Sequence, residues 1–435
     1  MTEHSNHAIV YGASGLVGWS IVDQLLKQYP EHGTFSKITA ITNRPLDLSR
    51  AYWPERSLTG PKLELVSGVD LRQGDGPTFA ETLKSKLKDV GSVTHVYYLG
   101  QYSVTNFTWA GFSQILVFTA ISDDIEEVDT NRQMMQNVIH AHERFSPNLR
   151  FVAFPGGTRG YGIYAPGGTF TPPLQEHMVS NLPRDYATTV VYPAYRKLLD
   201  EASKGKNWTW CEVCPDAIIG FTPNGSQFSL ALHWAQYLSL YAYNNGKGPN
   251  VQSAEDGIVK VPFPGNTAGA SALFTPASSQ TIARFMLYAS LNPEKCGQGN
   301  LFNIADHQEP CTYGQLWPKL AEWFGLEGVG FADESESNSP NTLKVGELPD
   351  STASLLPGEY ISRHKEIFLR HGCEYAVTAG VGAGHRQLDS VGYWLTFDRQ
   401  MSLDKIRKTG FEGNKDPVAG WIESFEMFRK AGLIL

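Results

Sequence analysis

Along the chain, hydrophobic positions gather into short continuous runs separated by helical patterns. Ala8–Tyr11 is apolar throughout, which predicts a strand buried on both faces. Runs of the same kind stand at Lys37–Thr42, Leu63–Val66, His95–Leu99, Leu149–Phe154 and Trp208–Cys214. Between the first two, Val17, Ile21, Leu25 and Leu26 fall at near-helical spacing, and Met134, Met135, Val138 and Ile139 mark one side of a helix over Asp129–Phe145. Strands alternating with helices predict βαβ units and a doubly wound parallel sheet, so the class is α/β. After about Gly220 the rhythm changes to longer helices and irregular Pro/Gly segments, with one more apolar run at Leu301–Ile304. The chain therefore divides into 1–225, with a returning strand near 300–305, and a smaller, mostly helical part, 226–435. Segment 333–348 is acidic and rich in Ser and Asn, and reads as an exposed loop.

Composition narrows the function. Lys plus Arg is 36 against 44 Asp plus Glu, a net charge of −8, and no basic stripe interrupts this acidity, which excludes nucleic acid as a partner. Hydrophobic residues make up 41%, enough for a large core in place of a disordered chain. No membrane span is expected. The best stretch, 228–243, is broken by His233, Gln236 and Ser239 and falls short of the ~20 apolar residues a span needs. Residues 1–7 are polar and lead directly into the first strand, with no secretory pattern, and the five cysteines are sparse and odd in number, so a cytoplasmic location is expected.

The strongest chemical signal is Gly12-x-x-Gly15-x-x-Gly18 at the first strand–helix junction. Gly12 allows the tight turn, Gly15 lets a pyrophosphate approach the backbone, and Gly18 lets helix and strand pack closely; the helix N-terminus offers N–H donors. A dinucleotide is the favoured ligand, with a ligand-free tight turn as the alternative. Ser14, Leu16 and Val17 belong to the same loop. After the second strand stand Asn43, Arg44 and Pro45, with no acid to hold a ribose 2′-hydroxyl. Arg44 suits a 2′-phosphate, which favours NADP(H) over NAD; an ordinary surface arginine is the other reading. Asp70 and Leu71 follow the third strand, Asp70 being either an adenine contact or a cap. Gly380-Val-Gly382-Ala-Gly384 has no strand and crossover helix of its own and reads as a flexible loop.

These residues resemble the extended short-chain dehydrogenases/reductases, and more narrowly the progesterone 5β-reductase/iridoid synthase-like (PRISE) group. The matching pieces are Arg44-Pro45, Tyr97-Tyr98 to Tyr102, Asn131-x-x-Met134-x-x-Asn137, Pro215-Asp216-x-Ile218-x-Gly220, Phe263-Pro264-Gly265, Leu301–Ile304 and Ser402–Phe411, spread over nearly the whole chain. The resemblance implies a Rossmann-type dinucleotide domain with a substrate-binding C-terminal part. It also implies NADP(H) and reduction of the activated C=C bond of an enone or enal, in a small hydrophobic carbonyl substrate of secondary metabolism. Leu99, Gln101, Pro215 and Ile218 join the cofactor set on the same ground, and a homodimer is the open option for assembly.

Tyr192, in Thr189-Val-Val-Tyr192, matches the group's acid tyrosine and would donate a hydrogen bond where oxyanion charge develops. The group's lysine falls, without a gap, on Thr158 of Pro155-Gly-Gly-Thr158-Arg159, and threonine carries no charge. Arg159 and Arg196 are the candidate cations that would lower the tyrosine's pKa; a surface position is the plain alternative for each. The missing lysine keeps a second function open, a non-redox isomerase or cyclase on a reductase scaffold. Tyr102, Tyr161, Trp234 and Tyr237 are candidate pocket walls, with core packing an equal alternative. Cys211 and Cys214 have CxxC spacing but lie on a strand, where residues three apart face opposite sides, so no metal is expected. His140 and His142 diverge on their helix, and the acidic run 123–129 reads as charge preceding a helix N-terminus.

Overall fold

Seven strands form one sheet: β1 (Asn6–Tyr11), β2 (Phe35–Thr42), β3 (Lys62–Ser67), β4 (His95–Tyr98), β5 (Phe151–Pro155), β6 (Thr209–Pro215) and β7 (Asn300–Ile304). In the computed structural model, which describes residues 6–55, 57–102, 121–226, 228–247, 257–330, 356–383 and 386–435, their order is β7-β6-β5-β4-β1-β2-β3 and every pairing is parallel. Each apolar run of the sequence became a strand, because a parallel sheet covered on both faces leaves no polar side to alternate with. The loop expected at 333–348 and Gly384 lie outside the described residues.

The longer helices are α1 (Leu16–Leu26), α2 (Gly76–Lys86), α3 (Ile121–Phe145), α4 (Tyr192–Ser203), α5 (Leu230–Asn244), α6 (Ser279–Leu291), α7 (Tyr313–Glu322) and α8 (Pro417–Lys430). α1 and α6 bury Ile21, Leu25, Ile282 and Met286 against one face of the sheet. α2, α3 and α4 bury Phe79, Leu83, Met135, Val138 and Leu199 against the other. The chain thus returns to the sheet with a whole helix, α6, as well as the strand anticipated near 300–305. α3 starts at Ile121, earlier than the apolar periodicity indicated, so Glu126, Glu127 and Asp129 lie inside it. Among the described residues no helix is long and apolar enough to cross a membrane.

α5 is buried on nearly all sides, the condition under which a helix is apolar all round. Trp234 stacks on Trp421 with ring centroids 5.3 Å apart, and Tyr237 lies 6.4 Å from Trp317 in a stacked arrangement. Both therefore form the C-terminal core, and neither lines the cleft described below. Tyr161 is likewise core: its ring is fully buried and its hydroxyl donates to Asn303 Oδ1 at 2.6 Å. The wall role considered for these three residues gives way to packing.

Candidate active site

The strand order reverses between β1 and β4, and a cleft of about 1850 Å³ opens at the carboxyl ends of the strands, where open α/β sheets bind ligands. Its first wall is the loop from β1 to α1. Gly12 has φ +74°, and a Cβ there would stand 2.5 Å from the Leu99 carbonyl oxygen, so only glycine fits against the end of β4. A Cβ at Gly18 would stand 2.1 Å from the Gly12 carbonyl oxygen. At Gly15 it would meet only that same oxygen, at 3.3 Å; the space is otherwise clear. Gly15 also caps α1 without a side-chain bond. A bare cradle in front of an uncapped helix N-terminus fits a pyrophosphate. Ser14, Leu16 and Val17 line the same wall, and the Ser14 carbonyl accepts from Thr222 Oγ1 at 2.6 Å.

Asn43, Arg44 and Pro45 line the outer end of the cleft, all three exposed. Arg50, which no motif singled out, lines it too, with its guanidinium 3.3 Å from the centre of the Tyr375 ring. Asp70 is gripped by Arg72 through two side-chain bonds of 2.9 and 2.8 Å, and Arg72 holds the carboxyl below the usual range. Asn131 and Asn137 act on the neighbouring backbone. Asn131 accepts from the Tyr102 N–H at 2.8 Å and donates to its carbonyl at 2.7 Å; Asn137 donates to the Leu71 carbonyl at 3.0 Å. The spaced asparagines of α3 thus fix the loops after β3 and β4, and Met134 between them lines the cleft with Leu71, Leu99, Gln101 and Tyr102. Pro215 and Ile218 close the side next to β6. Gly380–Ala383 is a short 3-10 turn on the cleft wall, with no strand of the sheet leading into it.

The other half of the cleft is built on the turn after β5. The Tyr192 hydroxyl lies 3.0 Å from where a Gly157 Cβ would stand, and its ring lies 3.0 Å from that of Gly160, so the tyrosine rests on bare glycine backbone. Burial pushes its hydroxyl well above the ordinary phenol range, and the Arg159 charge pulls the other way. Arg159 is held in place: it donates to Glu127 Oε1 at 2.8 Å and to the Thr189 carbonyl at 2.8 Å, with its guanidinium 5.2 Å from the Tyr164 ring centre. Burial opposes that charge, but Tyr164, Glu127 and Tyr192 outweigh it and keep Arg159 protonated.

Arg196 takes no such place. It is spent on Glu212, in the middle of β6, through bonds of 2.6 and 3.0 Å, and lies outside the cleft lining. The pair ties α4 to the sheet beneath Tyr192, and Gly156 makes room for it, since a Cβ there would stand 2.1 Å from Glu212 Oε1. Glu212 escaped sequence reasoning, although a lone acid inside an apolar strand was its signal. Thr158, at the lysine position, donates to Asp216 Oδ1 at 2.7 Å; Asp216 Oδ2 in turn lies 3.1 Å from Arg399 Nε, and Asp216 and Arg399 both line the cleft. Tyr164, Trp394, Leu395 and Tyr313 supply apolar wall that the sequence did not single out. Cys211 and Cys214 are buried free thiols in different core clusters, and no group of potential metal ligands occurs among the described residues. His142 is a core residue between Tyr11 and Ser146.

Comparison with known proteins agrees with this geometry. The family described as PRISE-like Rossmann-fold domain matches residues 8–435. The chain is 31% identical over 444 aligned residues to short chain dehydrogenase ausT of Aspergillus calidoustus, covering 100% of this chain and 96% of that one. It is 27% identical to the 3-oxo-Delta(4,5)-steroid 5-beta-reductase of Arabidopsis thaliana, over 97% of this chain and 92% of the other. It is 23% identical to an (S)-8-oxocitronellyl enol synthase of Nepeta cataria, over 97% and 91%. In fold it is similar to a GDP-mannoheptose C4 reductase of Campylobacter jejuni solved with NADP bound, at a TM-score of 0.56 and 12% identity over 99% of this chain and 100% of that one.

Proposed function

The chain belongs to the PRISE-like Rossmann-fold family of short-chain dehydrogenase/reductase-like oxidoreductases, and on that premise we propose that it is an NADPH-dependent reductase of an activated C=C bond in a small hydrophobic enone or enal. The observation that carries the reading is the Tyr192 hydroxyl, set on Gly157 and facing the Arg159 charge, in a cleft continuous with the Gly12–Gly18 loop. The steroid reductase among the relatives is named for a ring double bond conjugated to a 3-oxo group, which is the same functional group.

Gly15 and the α1 N-terminus would hold the pyrophosphate, Arg44 the 2′-phosphate, Asp70 and Leu71 the adenine end, and Leu99, Gln101, Pro215 and Ile218 the nicotinamide end. The bound cofactor supplies the hydride. Tyr192 donates a hydrogen bond to the substrate carbonyl, on which charge builds as the β-carbon is reduced. Its raised pKa keeps it a donor at ordinary pH, and the Arg159 charge would ease the charge that develops there. Tyr164, Trp394 and Leu395 present an apolar wall to the carbon skeleton and exclude water.

A second reading stands on Thr158, whose hydroxyl is bound to Asp216 where the family carries a cation: the same donors would orient a substrate that rearranges without net reduction. One assay separates the two. Protein incubated with NADPH and an enone panel should convert nicotinamide absorbance and enone in equal amounts. Conversion of a substrate with no nicotinamide oxidised, and at equal rate with NADP⁺ bound, would overturn the reductase.

A further inference from the structure

Arg399 has no part in the scheme above, yet it is one of the largest fully buried side chains of the molecule, 1% exposed. Its segment is fixed to the body of the protein. The Arg399 N–H donates to the Leu273 carbonyl at 2.8 Å, the Leu273 N–H donates to Asp398 Oδ1 at 2.9 Å, and the Leu174 N–H donates to the Gln400 carbonyl at 2.9 Å. The guanidinium stands 4.8 Å from the Phe274 ring centre and 5.9 Å from that of Tyr313, on the cleft. Its Nε faces Asp216 at 3.1 Å as an ion pair. Neither that nitrogen nor Nη1 or Nη2 makes a well-aligned hydrogen bond among the described residues, and the Tyr313 hydroxyl, within reach of the guanidinium, meets at most part of its donor capacity.

A guanidinium carries five donors, and enclosing them unmet is strongly unfavourable unless something else accepts them. Arg399 lines the cleft, so a ligand there comes within reach of it. We propose that Arg399, with Tyr313 beside it, is a second oxygen-binding subsite that takes a neutral carbonyl group of the ligand, whether ketone, ester or lactone. Charge selects the neutral group. Asp216 already balances Arg399, so a carboxylate would leave a net negative charge in a dry site, whereas a carbonyl oxygen accepts from the fork without adding charge. Thr158 is spent on Asp216 and offers its proton to nothing else.

The subsite is distinct from Tyr192: Tyr192 rests on Gly157, whereas Arg399 pairs with Asp216, which holds Thr158. A ligand engaging both carries a second carbonyl besides the conjugated one. That this ligand is a substrate rests on the reductase reading; its binding does not, so the test is made without turnover.

Ligand-observed NMR titration of the full chain would compare cyclohexanone, methylenecyclohexane of the same shape without the oxygen, and cyclohexanecarboxylate. In the Tyr192→Phe variant, where the other donor is gone, the ketone should bind about ten-fold tighter than the hydrocarbon, the effect of one hydrogen bond to a charged group. The carboxylate should bind no better than the ketone. The double variant Arg399→Met/Asp216→Asn, which leaves no unpaired buried charge, should lose the ketone preference. If that variant does not fold, Arg399→Lys should still reduce the preference, because it keeps the charge and lacks the fork. A ketone preference that vanishes in Tyr192→Phe, or one that survives loss of Arg399, overturns the subsite. A carboxylate that binds tightest overturns its neutral specificity.

Discussion

Two side chains of the cleft carry proposed roles that single substitutions can test. Tyr192→Phe removes one hydroxyl and leaves the ring on its glycines. If that hydroxyl meets the developing oxyanion, kcat should fall about 10²–10³-fold with KM little changed, the usual loss for one such donor. Turnover within a few-fold of the parent would make Tyr192 a wall residue. Arg44 stands exposed at the cleft's outer end, in the Asn43-Arg44-Pro45 segment that follows β2 and carries no acid. Arg44→Ala should weaken NADPH binding by about 1.5–3 kcal/mol and leave NADH nearly unchanged. Equal losses for the two cofactors in a fluorescence titration would remove the 2′-phosphate from Arg44. Both residues were selected from the sequence, Arg44 by its place after β2 and Tyr192 by its match to the family's acid tyrosine. The fate of Arg196 was not, since an arginine four residues after a tyrosine says nothing of a glutamate on another strand.

At the scale of elements, the cleft depends on ties that hold helices to the sheet. Glu212 on β6 is 1% exposed and bonded through both carboxylate oxygens to Arg196 on α4, the helix that begins at Tyr192. Removing one partner strands the other charge. Glu212→Gln should therefore cost about 3 kcal/mol, the lower end for a broken buried pair because Arg196 keeps some contact with solvent. The urea midpoint would show this. Turnover should fall as well, since α4 carries Tyr192. The double variant Glu212→Gln/Arg196→Met should recover part of the stability, as replacement of a whole pair usually does; no recovery would mean that the pair is not the tie. The asparagine pair of α3 shows the other side of legibility. Its spacing was visible, but its purpose, gripping the backbone at Tyr102 and Leu71, appeared only once the strands set those loops beside the helix.

Over the whole molecule, three of the four histidines buried among the described residues should make the fold sensitive to acid. Burial lowers His7 and His95 to about 4 and His142 to about 3; the Lys37 charge adds to this at His7, Arg150 at His95 and His7 itself at His142. Each is neutral when folded and takes up a proton below about 6.5 when unfolded. Their contribution is therefore complete above that pH and is lost as pH falls toward 4. At pH 5 the loss should be about 2 kcal/mol for each. Unfolding midpoints should drop steeply from pH 7 to 5, and His142→Gln should flatten that slope. An unchanged slope would show that His142 is not held neutral.

The sequence by itself determined the sheet, the glycine loop between β1 and α1 and the family. Strands buried on both faces must be apolar runs, and a position where a Cβ would stand 2.5 Å from a neighbouring carbonyl oxygen must be glycine, so both constraints are written locally. Only the tertiary structure decided which aromatics are wall and which are core, because α5 is equally apolar in either role until Trp421 and Trp317 close on it. The charges were settled the same way. Arg196 found Glu212, Arg159 found Glu127, and Arg399 reached the Asp216 beside Thr158 from far along the chain. Ion pairs form between groups that folding brings within a few ångströms, and that proximity is a property of the closed fold, which no spacing along the chain records.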